Sequence, residues 1–432
     1  MTNIPQRFPT VATDLAAASL RSIGEMMIQI ELEFDRPLDV ERLTQALTLA
    51  LDAEPVLGCR FVAARRPYWE RLPAADAARG LLTIVADAAQ YEVFLTTPAI
   101  AADGPQLHAC LWRTPAGERL TLKISHEMGD AGGAKDVAAI VADAYRRLRH
   151  DPQWRPEPNL LGTRGMTQVL RRLPWRAFPR IYWNYLRHSW QELFPLASLK
   201  LPWRADARGP LSFVLRHVPA ARVANLSAYG RARHATLHDV FMTAFYRALT
   251  RVAPWDGRTM LRAGHTIDLR RYMPHKQAEA VCNLSGVEHH RLGRELGADF
   301  AATLDKFSAE TRRRKDDWFG LDDYIGVTPL LGVLSWRRAT RALANFFQWL
   351  TRHGGLEHAL TNMGPIDPEC VVFDERPRAA WLVVPPMYPP EFLVGLSGYA
   401  GSLTLSSGVY SEAGRPGLAE DFFDAMLEEL PE

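Results

Sequence analysis

The sequence predicts an α+β protein with two lobes, in which mixed sheets pack against helices. Its 432 residues exceed what a single hydrophobic core usually serves. Apolar residues make up 47% of the chain, which is enough for two packed cores. Runs that alternate between apolar and polar residues indicate strands, and runs with apolar residues three and four positions apart indicate helices. Both kinds of run occur in each half of the sequence.

Residues 1–165 are predicted to form the N-terminal lobe. Residues 26–34 alternate as a strand does, and Asp39 stands at the start of an amphipathic helix. Residues 107–112 and 120–124 flank a short loop, which predicts a β-hairpin. The other elements predicted here are a strand over residues 58–62 and a helix from 131 to about 150.

Residues 166–208 are predicted to link the two lobes. Between residues 164 and 200 the only acidic residue is Glu192. Two interpretations stay open: the aromatic side chains of the linker pack on the lobes, or they form a basic patch that docks on an acidic partner. A membrane surface or an acidic carrier protein would suit such a patch. The basic and aromatic composition extends somewhat beyond the linker, from residue 151 to about residue 210. The residues concerned are Arg164, Arg171, Arg172, Arg176, Arg180 and Arg187, with Trp154, Trp175, Trp183, Trp190 and Trp203.

Residues 209–432 are predicted to form the C-terminal lobe. Its strands and helices alternate, and residues 398–407 are predicted to form one strand with a glycine bend. A second basic helix follows from Trp336, because Arg337, Arg338 and Arg341 flank its apolar stripe. The other predicted elements are strands at 211–215, 261–269, 283–287 and 392–395, and helices at 220–230, 235–246, 299–314 and 417–430.

Composition and motifs exclude several classes of protein. A net charge of +2 argues against a nucleic-acid-binding protein. The cysteines are scattered and predict neither a disulfide framework nor a zinc site. His289 and His290 would point to opposite faces of a strand, so we expect no metal site. Neither a glycine-rich phosphate loop nor a GxSxG motif occurs.

Signals for export and membrane insertion are also lacking in the sequence. No basic segment followed by an apolar run begins the chain, so we expect no signal peptide. No stretch approaches the roughly 20 apolar residues of a membrane span. We therefore expect a cytoplasmic protein, with peripheral contact to a membrane as an open alternative.

The segment from Ser125 to Gly133 is the strongest functional signal. An alternating apolar run precedes it and an amphipathic run follows, so His126 is predicted on a loop between a strand and a helix. Asp130 stands at the N-cap position, and Gly132 and Gly133 would let the backbone turn sharply. Such a histidine can act as a general base, because its ordinary pKa lies near neutrality. The alternative is a surface histidine beside an ordinary capping aspartate.

The segment Ser125-His126-Glu127-Met128-Gly129-Asp130-Ala131-Gly132 resembles the HHxxxDG motif of the chloramphenicol acetyltransferase superfamily. That superfamily includes nonribosomal peptide condensation domains, alcohol O-acetyltransferases and polyketide-associated acyltransferases of mycobacteria. Two positions depart from the motif: Ser125 replaces its first histidine, and Ala131 replaces its glycine, with Gly132 one step later. Further segments resemble the family in the same order, namely residues 34–43, 54–61, 266–270, 361–365 and 398–405.

The resemblance implies two chloramphenicol-acetyltransferase-like lobes with an active-site tunnel between them. His126 would be the general base in this tunnel. Asp130 would pair with Arg270 to hold the loop, with Gly132 as part of that support. Ser125 and Asn362 would be neighbours of the motif or the tunnel. The resemblance implies no metal and no permanently bound cofactor.

The function that the resemblance implies is acyl transfer from a thioester, either acyl-CoA or a phosphopantetheine-bound acyl group on a carrier protein. The expected acceptor is a hydroxyl group, in secondary metabolism or on a lipid. One alternative is a stand-alone condensation-type enzyme that forms an amide with an amine. Another is an inactive binding module of a biosynthetic assembly, which Ser125 would favour. We expect a monomer.

Overall fold

The structure is a computed structural model that describes residues 4–193, 197–205, 207–315, 318–322, 324 and 334–432. Strands in the first half are β1 (Arg7–Pro9), β2 (Met27–Phe34), β3 (Cys59–Val62), β4 (Tyr68–Arg71), β5 (Leu82–Val85), β6 (Leu107–Thr114) and β7 (Gly117–Ser125). Those in the second half are β8 (Leu211–Val218), β9 (Leu261–Asp268), β10 (Ser285–Gly293), β11 (Ala359–Ile366), β12 (Ala379–Val383), β13 (Leu393–Tyr399) and β14 (Ser402–Tyr410).

Helices pack on these strands throughout the described residues. In the first half they are α1 (Ala12–Ser19), α2 (Val40–Ala53), α3 (Ala74–Ala78), α4 (Ala88–Thr96), α5 (Ala131–His150), α6 (Thr167–Leu170) and α7 (Ala177–Leu193). In the second half they are α8 (Ala220–Ala232), α9 (Leu237–Val252), α10 (Phe300–Lys315), α11 (Trp336–Arg352) and α12 (Leu418–Glu429). No helix among the described residues is both long and apolar enough to cross a membrane.

The N-terminal sheet has five strands in the order β12-β2-β7-β6-β5. Its centre is the predicted hairpin, because β6 and β7 pair antiparallel with Leu107 opposite Ile124. The prediction of a helix after Asp39 is also confirmed, since the Asp39 side chain accepts a hydrogen bond from the backbone of Arg42 at the start of α2. Helices α2 and α5 pack on this sheet, and their apolar faces form one core with it.

The C-terminal sheet has six strands in the order β10-β9-β11-β13-β14-β8. The prediction of one bent strand over residues 398–407 is wrong: the chain reverses at Ala400 and Gly401, which separate the antiparallel strands β13 and β14. Both turn residues have positive φ, which is typical of a two-residue hairpin turn. The apolar helix α9 is buried against this sheet and α12.

Two segments from the second half of the chain pack with the elements of the first half. Strand β12 pairs with β2 and forms an edge of the N-terminal sheet. Helix α11 contributes Ala339 and Leu343 to the core of the N-terminal sheet. Both segments lie within the range 209–432, which was predicted to belong entirely to the C-terminal lobe. The α+β class with mixed sheets and packed helices is confirmed.

Candidate active site

The loop between β7 and α5 carries His126. Strand β7 ends at Ser125, and the backbone N–H of His126 donates to the carbonyl of Met26 in the neighbouring chain segment. Asp130 is the N-cap of α5, because its Oδ1 accepts a hydrogen bond of 2.9 Å from the N–H of Gly133. His126 therefore has a fixed position between a sheet and the first turn of a helix.

The hydrogen bonds of the His126 ring define its tautomer. Nδ1 lies 3.1 Å from the carbonyl oxygen of Gly129 and 3.1 Å from Oδ1 of Asn283. A carbonyl oxygen only accepts hydrogen bonds, so Nδ1 carries the hydrogen. Nε2 then has a free lone pair, and it makes no hydrogen bond within the described part of the chain. His126 also lines a cavity, so Nε2 is the ring nitrogen that remains available there as a base.

Asn283 comes from the other half of the chain, between β9 and β10. Its Nδ2 donates to the carbonyl oxygens of His126, at 2.9 Å, and Glu127, at 3.2 Å. These two donations orient the amide so that Oδ1 faces Nδ1 of His126. The sequence analysis did not identify Asn283 as a site residue. No local signal marks it, because its partners lie more than 150 residues away in sequence.

Desolvation keeps the His126 ring neutral. It lowers the pKa of His126 below the ordinary value of 6.5, although the charge of Asp130 and the hydrogen bonds at Nδ1 act in the opposite direction. A lowered pKa leaves Nε2 unprotonated at neutral pH, which is the form in which it can accept a proton.

Asp130 and Arg270 form an ion pair, which is the contact that the family resemblance implied. Nη1 of Arg270 donates to Oδ2 of Asp130 at 2.9 Å, and both residues are buried. The backbone N–H of Leu284 donates to the same oxygen at 2.7 Å. Burial opposes ionisation of Asp130, but Arg270 and the backbone donors hold its pKa below the usual value. The carboxylate therefore joins the start of α5 to the second half of the chain.

Gly132 has a role that differs from the prediction. We expected Gly132 and Gly133 to allow a sharp turn, but both lie in the first turn of α5. A β-carbon on Gly132 would lie 2.4 Å from Cζ and Nη1 of Arg270. The missing side chain therefore leaves room for the buried guanidinium, which is a requirement of packing rather than of backbone conformation.

A second buried arginine, Arg164, contacts the backbone of the His126 loop. Arg164 makes two hydrogen bonds of 2.9 Å to the carboxylate of Asp14 and donates to the carbonyl oxygen of Met128 at 2.8 Å. Trp69 donates to Asp14 from the other side at 2.8 Å. The sequence analysis noted Arg164 only as part of the basic linker. Its actual position ties the end of the N-terminal range to the His126 loop.

A cavity of about 80 Å³ lies beside His126, and both halves of the chain form its walls. Asn362 lines it, together with Thr361 and Thr266. Oδ1 of Asn362 accepts a hydrogen bond of 3.0 Å from the N–H of Gly364. The other residues of the wall are Ile28, Asp130, Ala131, Gly132, Asp268, Arg270, Ser285, Met363, Val384, Pro385 and Leu393.

Ser125, which replaces the first histidine of the motif, is buried at the end of β7. Its Oγ accepts a hydrogen bond of 3.3 Å from the N–H of Glu127, and its side chain does not belong to the cavity wall. His289 and His290 occupy opposite faces of β10, as expected, since His290 is buried and His289 lies near Glu357. Within the described ranges no group of three or more His, Cys, Asp or Glu side chains is arranged to hold a metal ion.

A larger cavity of about 540 Å³ lies beside His108 and Lys123, away from the His126 loop. Nζ of Lys123 donates to the carbonyl oxygens of Phe94, Leu95 and Thr97 at the end of α4. These bonds occupy all three of its donors. Burial lowers the pKa of His108 to about 4, so its ring is neutral. Size alone does not make this cavity an active site.

A scan against family models gives no match, and a search of curated protein sequences gives none either. Solved structures do match. The first condensation domain of the calcium-dependent antibiotic synthetase, in complex with a substrate analogue, has a TM-score of 0.68 and 17% identity. That match covers 100% of the present chain and 98% of the other.

Two further structures match over almost the whole chain. Polyketide synthase associated protein 5 from Mycobacterium tuberculosis has a TM-score of 0.60 and 15% identity, and the match covers 97% of the present chain and 98% of that one. The EpoB cyclization-docking bidomain from Sorangium cellulosum has a TM-score of 0.65 and 16% identity, with coverage of 98% and 84%.

The nonribosomal peptide synthetase FmoA3 is much longer, and the present chain spans 42% of its length, with a TM-score of 0.66 and 16% identity. At these identities the likeness concerns the fold. The chain therefore has the two-lobed, chloramphenicol-acetyltransferase-like fold of nonribosomal peptide condensation domains, which is the fold that the motif resemblance implied.

Proposed function

We propose that the protein is an acyltransferase that moves an acyl group from a thioester to a hydroxyl acceptor, with His126 as the general base. Nε2 of His126 takes the hydroxyl proton while the acceptor oxygen attacks the thioester carbonyl carbon. The C–S bond then breaks, and the departing thiolate receives the proton from the imidazolium. The products are an ester and a free thiol, and His126 returns to its neutral form.

The orientation of the His126 ring is the observation that carries this proposal. Nδ1 is held by Gly129 and Asn283, so Nε2 is the ring nitrogen that remains for a substrate, and His126 lines the cavity that both halves of the chain form. One positioned base can serve this reaction, because it needs neither a covalent enzyme intermediate nor a redox step. Help from a general base is typically worth about 10²–10⁴-fold in rate.

Asn362 is the residue to which we assign stabilisation of the oxyanion. Because its Oδ1 accepts the N–H of Gly364, the amide group is oriented and Nδ2 is the atom that remains for another partner. Nδ2 makes no hydrogen bond within the residues that the structure describes. A donor at the cavity wall favours the transition state by binding the oxygen on which negative charge develops.

Amide formation with an amine acceptor is the second candidate function. The observation that favours it is the match with a condensation domain over the full length of the chain. A neutral histidine can take a proton from an amine during attack on a thioester just as it does from an alcohol. The two candidates differ in the acceptor and share the base and the donor.

An inactive binding module is the remaining alternative from the sequence, and it rested on Ser125. The Ser125 side chain supports the loop at Glu127 and lies outside the cavity wall. The cavity keeps His126 and Asp130 with serine at this position, which favours an enzyme over a binding module.

The test is release of free thiol from acyl-CoAs of several chain lengths, mixed with pools of alcohols or of amines. A parallel arm uses acylated carrier protein, and mass spectrometry of the products separates esters from amides. We expect release that depends on His126, with a loss of about 10²-fold or more in His126→Ala. The matched control is His150→Ala, because His150 is exposed at the end of α5.

Three outcomes are informative. Thiol release in the wild type that persists in folded His126→Ala would contradict the role of the base. Amide products with no ester would replace the hydroxyl acceptor by an amine. Acyl donors that bind to the wild type without turnover in any arm would favour the binding module.

A further inference from the structure

Helix α7 and the residue pair before it present large aromatic side chains to solvent. Trp175 is 82% exposed, Trp183 is 67% exposed and Tyr182 is 52% exposed. Phe178, Tyr182 and Leu186 follow at intervals of four residues, so they form a stripe along one face of the helix. The interpretation that the linker aromatics pack on the lobes is thus wrong for these residues. It holds for Trp154 and Trp203, which contact the two cores.

Arginines accompany this stripe. Residues 171–187 contain five arginines and no acidic residue. Arg180 and Arg187 lie three residues before and four residues after Trp183, so these side chains share the flank of the apolar stripe. Arg172 and Arg176 are exposed just before the helix. We call the whole surface the α7 face: Arg172, Trp175, Arg176, Phe178, Arg180, Tyr182, Trp183, Leu186 and Arg187.

The opposite side of α7 is packed in the first two turns of the helix. Ala177 and Ile181 are fully buried in a cluster that contains Leu269 and Leu284. Leu269 precedes Arg270, and Leu284 follows Asn283, so the helix lies on the segments that hold the His126 loop. The exposure of the α7 face is therefore not a consequence of a loosely attached helix.

We propose that the α7 face docks the protein on an anionic membrane surface. A helix that lies in a membrane interface has tryptophan, phenylalanine or leucine on one face and arginine or lysine beside it. Tryptophan and tyrosine concentrate at the level of the lipid headgroups, where their rings are partly apolar and partly polar. The arginines of this face complement anionic headgroups, and no acidic residue lies between residues 171 and 187 of the sequence. An acidic protein would satisfy the arginines, but it would need a matching apolar groove for protruding indole rings, whereas a lipid interface accommodates them.

The experiment is co-sedimentation of the full-length protein with vesicles of neutral phosphatidylcholine or of phosphatidylcholine with about one-third phosphatidylglycerol. We expect binding to the anionic vesicles that weakens at least tenfold when salt rises from about 0.05 M to about 0.5 M. The variant Arg172→Gln/Arg176→Gln/Arg187→Gln should lower the partition coefficient about tenfold or more. The variant Trp175→Ala/Tyr182→Ala/Trp183→Ala should lose the vesicle binding that the wild type retains at high salt.

A matched control removes the same charge from another surface. Arg231, Arg258 and Arg294 are exposed outside the α7 face, and the triple change to glutamine there should leave vesicle binding unchanged. Brominated acyl chains supply a second readout, because they quench tryptophans that enter the interface. The variant Trp175→Phe/Trp183→Phe should lose this quenching and still sediment with the vesicles.

Several results would overturn the proposal. They are no vesicle binding at low salt, equal binding to neutral and anionic vesicles, and binding that the α7 substitutions do not alter. An acidic carrier protein that binds through the α7 face, in the absence of vesicle binding, would identify this surface as a protein docking site instead. Because the readout is binding, failure of the acyltransferase proposal would leave this test unaffected.

Discussion

The guanidinium of Arg270 fills the space that a side chain at Gly132 would need: a β-carbon at residue 132 would lie 2.4 Å from the guanidinium carbon. Gly132 belongs to the first turn of α5, and Arg270 follows β9 in the other half of the chain. The same guanidinium donates to Asp130, the residue that caps α5. The start of the helix behind His126 is therefore shaped by a side chain that arrives from the second half.

Substitution of Gly132 tests this packing. Alanine favours a helix over glycine by about 1 kcal/mol, so Gly132→Ala should stabilise the protein if only propensity mattered. We expect instead a net loss of about 1–3 kcal/mol in the free energy of unfolding, since the buried guanidinium must move. Denaturant unfolding measures the difference. Gly133→Ala is the matched control, because its β-carbon would approach its nearest neighbours at 3.3 Å, and its loss should be smaller.

Asp130→Asn tests the buried ion pair. Asparagine keeps an oxygen for the N–H of Gly133 but removes the buried counterion of Arg270, which then has only the half-exposed carboxylate of Asp268, 3.3 Å away. Removing one member of a buried pair costs about 3–5 kcal/mol, and we expect a loss of that order in the unfolding free energy. A double-mutant cycle with Arg270→Gln isolates the coupling. Additive losses in that cycle would show that the two side chains do not depend on each other.

The pH dependence of turnover tests the link between Asn283 and His126. The neutral ring is the reactive form and its pKa is lowered, so kcat/KM should fall only when the pH drops below 6.5. Asn283→Asp places a carboxylate beside Nδ1, which favours the imidazolium and should move the acidic limb to higher pH. Asn283→Leu introduces no charge, so it should lower kcat/KM without moving the acidic limb of the profile to higher pH. Identical profiles for the wild type and Asn283→Asp would contradict the assigned contact.

Asn362→Asp tests the assigned oxyanion donor. The aspartate retains an oxygen that can accept the N–H of Gly364, but it cannot donate to a substrate oxygen. Removal of one such donor typically costs about 10²–10³-fold in kcat, and we expect a loss in that range. Steady-state kinetics should show the effect in kcat rather than in KM, and an unchanged kcat would remove Asn362 from the mechanism.

Buried histidines predict that the fold weakens in acid. Desolvation lowers the pKa of His265 and of His290 well below 6.5, and nearby positive charge adds to the shift. Below about pH 6.5 the unfolded chain therefore binds more protons than the folded chain, and stability falls by up to about 1.4 kcal/mol per pH unit for each histidine. The groups that face these rings are His238, His289, Arg314 and Glu310.

Urea unfolding between pH 7.5 and pH 5 measures this slope. In His290→Leu one titrating group is gone, so the slope should be shallower than in the wild type. His150→Gln changes an exposed histidine and should leave the slope as it is. A slope that is the same in His290→Leu and the wild type would contradict the prediction.

Much of the local structure followed from the sequence. The hairpin β6–β7, the capped helices α2 and α5 and the loop that carries His126 all depend on residues close together in the chain. The resemblance to the HHxxxDG motif added Arg270, the partner of Asp130, from the second half. It did not show why Gly132 is a glycine, since the reason is the volume of a distant side chain.

The sequence by itself determined many of the strands and helices and placed His126 on a loop between a strand and a helix, because hydrophobic period and helix capping are local properties. Only the tertiary structure decided which nitrogen of His126 is free, since Asn283 and Gly129 must both be in place to bind the other one. It also decided that β12 joins the N-terminal sheet. These relations depend on chain segments that meet only after folding, and neither periodicity nor capping encodes where a distant segment will pack.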